Sequence, residues 1–468
     1  MADHSPVPTA LAVLSDRLGA GAVRTDDAAL DRSSHDSWPL SAKLDRLGRH
    51  EHRAQAVVTA GSEDDVRTVL AVAADHDVPV TVRALGSSVT GQPLPVRGGI
   101  VLDVSALPDT CAVDTEDLTV TVSAGYHGGA LETELNARGL TLGHSPQSLH
   151  RSSVGGWLAT LATGQFSSYY GGIEDLVTGY TVILATGETL RLSASPRAAM
   201  GPDLRQLFLG SEGTLGVITS VTLKVFPLPE TRLLETWAVP SVAAGVAVLR
   251  AQAAAGLRPF LLRLYDTAEA RHVLQDPGIE GPVLFTGVQG PRRMAEAEAA
   301  VLADIVAEHG GRPLGPEGAR TWMERRFDFS GVENLLATDG GWAETIEVAH
   351  TWRGVVPLYE ALREALAPLA DEVFGHFSHV YTQGTSLYLI LRGSARDDTA
   401  AVAALEEVWA TAMRVALAHG AELSHHHGGG LARSPYTRRS LGASHLLLRR
   451  LKNALDPDGV LNPGKLGL

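Results

Sequence analysis

Strand-like and helix-like patterns of apolar residues alternate between Arg53 and about Val104. The short apolar run AQAVVTA is followed by Ser62, a residue type that often caps helices, and then by Val66 and Val69 at helical spacing. The segments PVTVRAL and IVLDVSAL then have the composition of two further strands. The pattern predicts a βαβ-like unit with a Gly/Ser loop after its second strand.

The next part of the chain, Leu118 to Pro227, is rich in strand patterns. The alternating segments are LTVTVSAG, YTVILAT, ETLRLSA and VITSVTLKVF, with one helix predicted at about Gly129–Arg138. Between them runs a Gly/Ser-rich stretch, Gly143 to Gly172. A loop of that length without regular structure inside a domain is usually functional.

Beyond the prolines at positions 227, 229 and 240 the composition shifts to Ala-rich helices that alternate with strands. The strand patterns are RPFLLRLYD, GPVLFTGVQG, GWAETIEVA, DEVFGHFSHVY and TSLYLILRG. This alternation favours an antiparallel sheet with helices on one face. The helices are predicted at Val242–Ala255, Arg292–Glu308, Thr351–Ala367 and Asp397–His419, and a basic amphipathic helix is predicted in the tail at His445–Leu455.

Charge and cysteine content narrow the function classes. The chain has 39 Lys and Arg against 53 Asp and Glu, a net charge of −14, which argues against a general nucleic-acid binder and against broad docking on anionic lipid. Cys111 is the single cysteine, so intramolecular disulfides and cysteine-based zinc or iron–sulfur sites are excluded. We see no signal peptide and no apolar run of about 18 residues, and therefore expect a cytoplasmic protein without a spanning segment.

Three Gly-rich turns carry the clearest functional signal, although the dinucleotide fingerprint G-x-G-x-x-G is absent. The first, Arg83–Gly91, directly follows a strand. The second spans Ser145 to Gly164, and the third is Gly210–Thr219. Successive backbone N–H groups in such loops bind anions. Each loop alone could be a surface turn, but the ordered series suits a long cofactor bound along extended backbone.

The series resembles the flavin-binding domain of the vanillyl-alcohol oxidase/PCMH family of FAD enzymes, chiefly through GSEGTLGVIT and LDPDGVLNPGK. GHSPQSLHRSSVGGWLAT, YYGGIEDLV and SHHHGGG are similar to the alkyldihydroxyacetonephosphate synthase branch. The resemblance implies an α+β protein: a PCMH-type FAD-binding domain with two α/β subdomains, and an antiparallel-sheet cap domain covered by helices. The implied bounds are 1–228 for the FAD domain, 229–420 for the cap, and 421–468 for a segment that returns to the FAD domain.

The resemblance also implies which residues hold FAD. Covalent members place a His where this chain has Ser87, so non-covalent FAD is expected. Ala84 and Leu85 replace two glycines of the usual loop, and Leu85 would be strained if that position needs a positive φ. The implied contacts are Val82, Arg83, Ala84, Leu85, Gly86, Ser87, Ser88, Pro146, Gln147, Ser148, Ser152, Ser153, Gly155, Gly156, Thr160, Ala162, Thr163, Glu212, Gly213, Thr214, Gly216, Val217 and Ile218.

Five candidate catalytic residues lie in three further segments: Arg263 in LLRLYD, Tyr381 in SHVYTQG, and His425, His426 and His427 in SHHHGGG. In the synthase branch, as the resemblance has it, the arginine supports activity, the tyrosine is the acid/base residue and the histidines lie near the flavin. From the residues alone, the arginine could equally be a surface residue paired with a carboxylate, and the tyrosine a packing aromatic of the cap.

The expected arrangement around Tyr381 follows from strand geometry. Two residues after His379 on one strand, Tyr381 would share its face, and on a second strand His425 and His427 would share a face. The two tail histidines are expected to approach Tyr381. A charged or hydrogen-bond-donating histidine would then lower the pKa of the phenol.

Two departures from related enzymes bear on the substrate. The D-2-hydroxy acid dehydrogenase branch holds a metal, but the matching positions here are His376, Gln383 and His426, a poor zinc set, so no metal is expected. The synthase branch binds a substrate phosphate through an Arg, whereas the stretch Phe327–Trp342 contains Glu333 and no Lys or Arg. The catalytic set looks retained while the phosphate-binding residue looks lost.

Three functions stay open at this point. The first is flavin chemistry like that of the synthase on a small or lipid-like substrate, without net redox change. The second is an FAD-dependent oxidoreductase of a D-2-hydroxy acid or alcohol. The third is a non-catalytic flavin-binding protein, suggested by Ala84 and Leu85. All three predict a small-molecule or lipid-like partner and no nucleic acid, and leave a homodimer open.

Overall fold

A computed structural model describes residues 6–193 and 196–468. The N-terminal part forms a four-stranded sheet of order β1-β2-β4-β3, in which β2, β4 and β3 are parallel and β1 is antiparallel. The predicted βαβ-like unit is β2-α4-β3. The elements are α1 (Pro6–Leu18), β1 (Val23–Arg24), α2 (Asp27–Ser33), α3 (Pro39–Arg46), β2 (Ala56–Thr59), α4 (Glu63–Asp75), β3 (Val80–Arg83) and β4 (Ile100–Asp103).

A second, antiparallel sheet follows, with strand order β5-β6-β10-β8-β9, and a two-stranded pair β11-β7 lies beside it. The helix expected at 129–138 is α5. The elements are β5 (Cys111–Asp114), β6 (Thr119–Ser123), α5 (Gly128–Asn136), β7 (Leu140–Thr141), α6 (Val154–Thr160), α7 (Ser167–Tyr170), α8 (Ile173–Leu176), β8 (Val177–Ile183), β9 (Thr189–Ser193), β10 (Val217–Lys224) and β11 (Phe226–Pro227).

The third sheet is antiparallel and has the order β15-β12-β14-β13-β17-β18-β16. The four Ala-rich helices predicted from the sequence match α9, α11, α14 and α15 to within one residue at each end. The elements are β12 (Thr231–Ala238), α9 (Val242–Ala254), β13 (Leu261–Tyr265), α10 (Thr267–Leu274), β14 (Val283–Gly290), α11 (Arg292–Glu308), β15 (Arg312–Gly315), α12 (Glu317–Arg325), α13 (Ser330–Ala337), β16 (Gly341–Thr351), α14 (Trp352–Leu366), β17 (Glu372–Val380), β18 (Gly384–Ser394) and α15 (Asp398–Ala418).

The two faces of the seven-stranded sheet differ, because side chains alternate along each strand. On β13, Leu262 and Leu264 pack into the core shared with helices α9, α14 and α15, whereas Leu261 and Tyr265 pack against the core of the second sheet. Helices α9, α14 and α15 therefore cover one face, whereas the other face, which packs against α10 and α12, is turned toward the predicted FAD domain. The α+β fold with a large antiparallel sheet is confirmed.

That second face carries four polar or aromatic side chains opposite one another on adjacent strands. Tyr265 on β13 pairs with His376 on β17, His376 with Tyr388 on β18, and Tyr388 with Glu347 on β16. All four positions point the same way because paired residues of neighbouring strands share a face. We call Tyr265, His376, Tyr388 and Glu347 the polar row.

The tail contains α16 (Gly430–Leu441) and α17 (Ser444–Leu455) and ends against the first sheet. The backbone N–H of Val80 donates to Val460 at 2.8 Å, and the N–H of Asn462 donates back to Val80 at 2.7 Å. Lys465 is buried and donates to the carbonyl of Leu94 at 2.7 Å. These contacts bring His425, His426 and His427, which we call the His run, between the Gly-rich loops and the polar row. The bounds 1–228, 229–420 and 421–468 stay predictions.

Candidate active site

One cavity of about 860 Å³ extends from the Gly-rich loops to the polar row. All the residues that the family resemblance assigned to FAD line it, except Thr214 and Val217. Both exceptions are fully buried: the Thr214 carbonyl accepts from Lys452, and Val217 packs in the core of the first sheet. Of the five candidate catalytic residues, Arg263, His426 and His427 line the cavity, and Tyr381 and His425 do not.

The first loop presents donors without protein partners. Within residues 6–193 and 196–468, the backbone N–H groups of residues 84–88 donate to no protein acceptor. The Nη1 atom of Arg83 is buried and also without a partner, and burial lowers the pKa of this guanidinium. Its Nη2 atom lies only 2.2 Å from where a Cβ on Gly86 would stand, so the arginine packs across the glycine. Unsatisfied N–H groups beside a buried cation fit the pyrophosphate of FAD.

The strain expected at Leu85 does not arise. Gly86 and Gly91 adopt positive φ values of 66° and 87°, whereas Ala84 and Leu85 lie outside that region. The left-handed turn that a glycine must make is made by a glycine that the chain retains. The two substitutions therefore give no reason to expect a weakened cofactor loop.

Glu212 joins the third loop to the tail. Its buried carboxylate accepts the N–H groups of Gly429 at 2.6 Å and Gly430 at 3.0 Å, and burial raises its pKa. The side chain of Asn462 donates to the Glu212 carbonyl. The turn that contains Glu212 is thus joined to the glycines that follow the His run, and Glu212 and Gly213 of this turn line the cavity.

Glu347, the last residue of the polar row, holds the backbone of the His run. Its buried carboxylate accepts the backbone N–H groups of His425 and His427, and it pairs with Arg433 at 3.2 Å. Burial alone would raise the pKa of Glu347, but Arg433 and the nearby histidines lower it well below its ordinary value. The run is a bend, not the strand expected from the sequence, because its N–H groups bond to this carboxylate rather than to a neighbouring strand.

The imidazoles of the run are neutral. Burial lowers the pKa of His425 and His426 to about 3 and that of His427 to about 4, and the neighbouring histidines add to the effect. The nearby carboxylate of Glu347 offsets only part of it. Neutral imidazoles keep a lone pair, so the His residues that line the cavity can accept protons.

Tyr381 departs from its expected setting. A β-bulge interrupts β17 between Ser378 and Val380, with His379 at a φ of 55°, so Tyr381 lies beyond the strand end and the shared face with His379 is wrong. Its hydroxyl lies 2.7 Å from Nε2 of His425, whereas His427 approaches Tyr388 instead. Burial raises the pKa of Tyr381, so the expected lowering is also wrong.

A buried trio that the sequence did not reveal lies beside these residues. Nη2 of Arg263 is 2.6 Å from Nε2 of His376, and Nδ1 of His376 is 2.8 and 3.0 Å from the two oxygens of Glu269. Arg263, His376 and Glu269 all line the cavity. Burial lowers the pKa of His376 and raises that of Glu269 to about 8. In the sequence, Glu269 follows Asp266 with the spacing of a helix cap, so the pattern gives no sign that Glu269 is part of a buried cluster.

Cationic side chains line another part of the cavity. Arg325 and Arg326 directly precede the stretch in which the substrate-phosphate arginine was found missing. The guanidinium of Arg326 lies over the rings of Phe166 and Phe327, burial lowers its pKa to about 10, and its Nε has no partner within the described chain. Arg151, opposite, pairs with Glu333 at 2.6 Å. The cavity therefore retains cations for an anionic group.

The metal set considered from the sequence is not assembled. His376 is engaged by Arg263 and Glu269, and Gln383 is exposed and outside the cavity lining. A different group, His379, His425 and His426, has ligand-type nitrogens within 4.8 Å of one another. Hydrogen-bond contacts occupy several of these nitrogens, including the 2.9 Å contact between the Nδ1 atoms of His425 and His426.

Comparison with known proteins decides the family. Residues 54–193 match the model of an FAD binding domain, and residues 228–466 match the model of the C-terminal domain of FAD linked oxidases. The chain belongs to the FAD-linked oxidase family. An uncharacterized FAD-linked oxidoreductase of Escherichia coli (strain K12), YgcU, is 31% identical over 474 residues, which cover 97% of each chain. The predicted relation to PCMH-type flavoproteins is confirmed.

Other members of the FAD-linked oxidase family are more distant. Alkyldihydroxyacetonephosphate synthase of Dictyostelium discoideum is 26% identical over 456 residues, covering 90% of this chain and 74% of that protein. A solved structure of an alkyldihydroxyacetonephosphate synthase superposes with a TM-score of 0.81 at 23% identity, over 97% of this chain and 85% of that one, which establishes the shared fold. The helices of residues 6–193 and 196–468 include none that is long and apolar enough to cross a membrane. The cytoplasmic location and the homodimer stay predictions.

Proposed function

We propose that this protein is an FAD-dependent oxidoreductase that oxidises an alcohol group of a small anionic molecule. The observation that supports this best is the shared cavity of about 860 Å³, in which the partnerless donors of the first Gly-rich loop face the same space as Arg263, His376, His426 and His427. Bound FAD supplies an acceptor for the hydride of the alcohol carbon. The first loop would hold its pyrophosphate, and Ser148, Ser153 and Gly213 would contact other parts of it.

The remaining work falls to side chains of the cavity. Oxidation of an alcohol releases a hydroxyl proton, and neutral imidazoles at the cavity wall can take it. The arginines of the cavity attract and orient an anionic substrate, since guanidinium groups match carboxylate and phosphate geometry. Tyr381 lies outside the lining, and its raised pKa keeps the phenol protonated, so it is not placed to take this proton directly from the substrate.

Anaerobic flavin bleaching tests this function. We expect purified protein to be yellow and its absorbance near about 450 nm to fall when glycolate, D-lactate or D-2-hydroxyglutarate is added without oxygen, because the flavin is reduced. L-lactate serves as a matched control for stereochemistry. If neither these acids nor a panel of neutral alcohols bleaches the flavin, the proposed oxidation is wrong.

The attachment of FAD gives a separate prediction. Ser87 cannot form the histidyl–flavin bond, and Cys111, the single cysteine, lies on β5 outside the cavity lining. We therefore expect acid precipitation to release the yellow colour into the supernatant. Colour that stays with the pellet after washing would contradict non-covalent binding.

A second candidate, synthase-like chemistry without net redox change, is supported by one observation. The hydroxyl of Tyr381, the imidazole of His425 and that of His426 form a continuous chain of contacts of 2.7 and 2.9 Å, and His426 lines the cavity. Through this chain Tyr381 can exchange a proton with a substrate that it does not touch.

The substitution Tyr381→Phe separates the two candidates. It removes the first group of the proton chain and keeps the ring. For the oxidoreductase we expect normal FAD content and at most about a tenfold loss of the bleaching rate, because the histidines remain. A loss of about 10²-fold or more, the scale of a general base, would favour the synthase-like function. The variant Tyr436→Phe, on α16 and outside the cavity lining, is the matched control.

A further inference from the structure

We propose that the hairpin of α16 and α17 docks the protein on the surface of a membrane that contains anionic lipid. The docking residues lie within about two helical turns of the connection at Gly442, and we call them the basic tip. They are Leu441, Leu446, Leu447 and the arginine pairs Arg438–Arg439 and Arg449–Arg450, all of them exposed and outside the cavity lining. The inference goes beyond the proposed function and does not depend on it.

Helix α17, the amphipathic helix predicted from the sequence, has one buried and one exposed side. His445 and Lys452 are buried seven residues apart, which is two helical turns, and Leu446, Leu447 and Arg450 lie on the opposite side. Leu446 and Leu447 are 54% and 60% exposed. A single exposed leucine is ordinary, but a cluster of leucines rimmed by charged residues marks an interaction site.

The buried side of α17 is fixed to the cofactor domain, so the helix cannot turn its leucines inward. The ammonium group of Lys452 donates to the carbonyl of Thr214 in the third Gly-rich loop at 2.8 Å and to that of Leu461 at 2.6 Å, and it pairs with Asp456. Nε2 of His445 lies 3.2 Å from the carbonyl oxygen of Leu466. The basic tip is therefore presented to the outside on a rigid support.

The charge of the hairpin is opposite to that of the chain as a whole. Residues 423–455 contain six Lys and Arg and no Asp or Glu, although the net charge of the chain is −14. Two of the six, Arg433 and Lys452, are buried and pair with Glu347 and Asp456. Across residues 6–193 and 196–468, no carboxylate pairs with any of the four arginines of the basic tip. Their charge is available to an external anion.

Helix α11 shows the same residue types without this segregation. It also carries an exposed arginine pair, Arg292–Arg293, and exposed apolar side chains at Met294 and Val301. Four acidic residues are interspersed among them, and Arg292 lies 3.9 Å from Glu296. The arginines of α11 are thus offset by carboxylates, whereas those of the basic tip are not.

The combination of leucines and arginines favours a lipid surface. Anionic headgroups attract guanidinium groups, while leucines of an interfacial helix enter the boundary between headgroups and acyl chains. An acidic protein surface would match the arginines but would leave the leucines without an apolar partner. The net charge of −14 does not prevent such local docking, because charges more than about 8 Å away are largely screened at physiological ionic strength.

Vesicle co-sedimentation of the FAD-loaded protein tests the proposal. We expect the protein to sediment with vesicles made of equal parts of phosphatidylcholine and phosphatidylglycerol at about 0.1 M salt, and to stay in the supernatant with phosphatidylcholine alone. Salt at about 1 M should release it, because screening then acts within about 3 Å. Absence of the protein from the anionic vesicle pellet would overturn the proposal.

Two double variants test the charged and the apolar part of the basic tip. We expect Arg449→Gln with Arg450→Gln, and Leu446→Ser with Leu447→Ser, each to weaken binding to the anionic vesicles about tenfold or more. The matched controls on α11, Arg292→Gln with Arg293→Gln and Met294→Ser with Val301→Ser, should bind like wild type. FAD content should be unchanged in all four, since the replaced side chains are exposed and outside the cavity lining. Equal losses in the α11 variants would overturn the assignment to the tip.

Two other occupants of the basic tip give different results. If Leu446→Ser with Leu447→Ser converts a dimer to a monomer in light scattering and wild type ignores the vesicles, the tip joins two copies of the chain and the lipid proposal is wrong. If the arginine variant loses vesicle binding but the leucine variant keeps it, the tip is a general anion-binding surface that fits an acidic polypeptide equally, and lipid docking through the leucines is wrong. Neither result depends on whether the protein oxidises an alcohol.

Discussion

Replacing Glu347 by glutamine should lower the free energy of unfolding of the protein by about 3–5 kcal/mol, the range for breaking a buried ion pair. The substitution leaves Arg433, itself buried, next to a neutral amide and weakens the acceptor for the N–H groups of the His run. Urea unfolding of the apoprotein measures the loss. We also expect weaker FAD binding, since the His run borders the cavity.

Glu344, three residues earlier on β16 and on the opposite face of the sheet, provides the matched control. It is equally buried, accepts the indole N–H groups of Trp38 and Trp409, and burial raises its pKa to about 7. On the acid side of that pKa the group is neutral, and a glutamine keeps an acceptor oxygen. Glu344→Gln should therefore cost less than about 1 kcal/mol. Equal losses in the two variants would show that Glu347 does not act through its charge.

The second large effect concerns Arg83. We expect Arg83→Met to weaken FAD binding about 10²-fold, because it removes a guanidinium whose Nη1 atom has no hydrogen-bond partner in residues 6–193 and 196–468 and is available to the pyrophosphate. The stability of the apoprotein should stay unchanged or rise, since a buried cation without a partner is replaced by an apolar chain of similar length. A variant that loses affinity for FAD while its apoprotein keeps or gains stability identifies Arg83 as a binding residue rather than a structural one.

FAD titration of the apoprotein, followed by flavin fluorescence, measures the affinity, and thermal unfolding measures the stability. Arg67→Met is the control: Arg67 lies on α4 outside the cavity lining and pairs with Asp64 at 2.6 Å. If Arg83→Met binds FAD as well as Arg67→Met does, the first loop does not hold the pyrophosphate through this side chain.

The cofactor region could be read from the sequence because it depends on backbone. Gly86 and Gly213 adopt positive φ values that glycine makes readily, and such positions leave a visible pattern of small residues. The helices α9, α11, α14 and α15 were predictable for a similar reason, since each is long and continuous.

The substrate side could not be read in this way because it depends on the register of strands and on one bulge. The bulge at His379 moves Tyr381 beyond its strand, and no composition signal marks it. Arg263, His376 and Glu269 are separated by up to 113 residues and meet only because β13 and β17 are neighbours in the sheet. Because Glu269 lies three residues after the helix cap Asp266, its sequence position indicates only a helix start and not a buried contact with His376.

The docking of the tail has a consequence for how the site is made. The His run is held by Glu347 of the large sheet and, through Gly429 and Gly430, by Glu212 of the third loop, while Asn462 pairs with β3. Bringing together segments so far apart along the chain costs loop-closure entropy and slows folding. Chains in which both sheets have formed would therefore pass through an interval without a competent site. We therefore expect the active site to be complete only after the tail has docked on both the third loop and the large sheet.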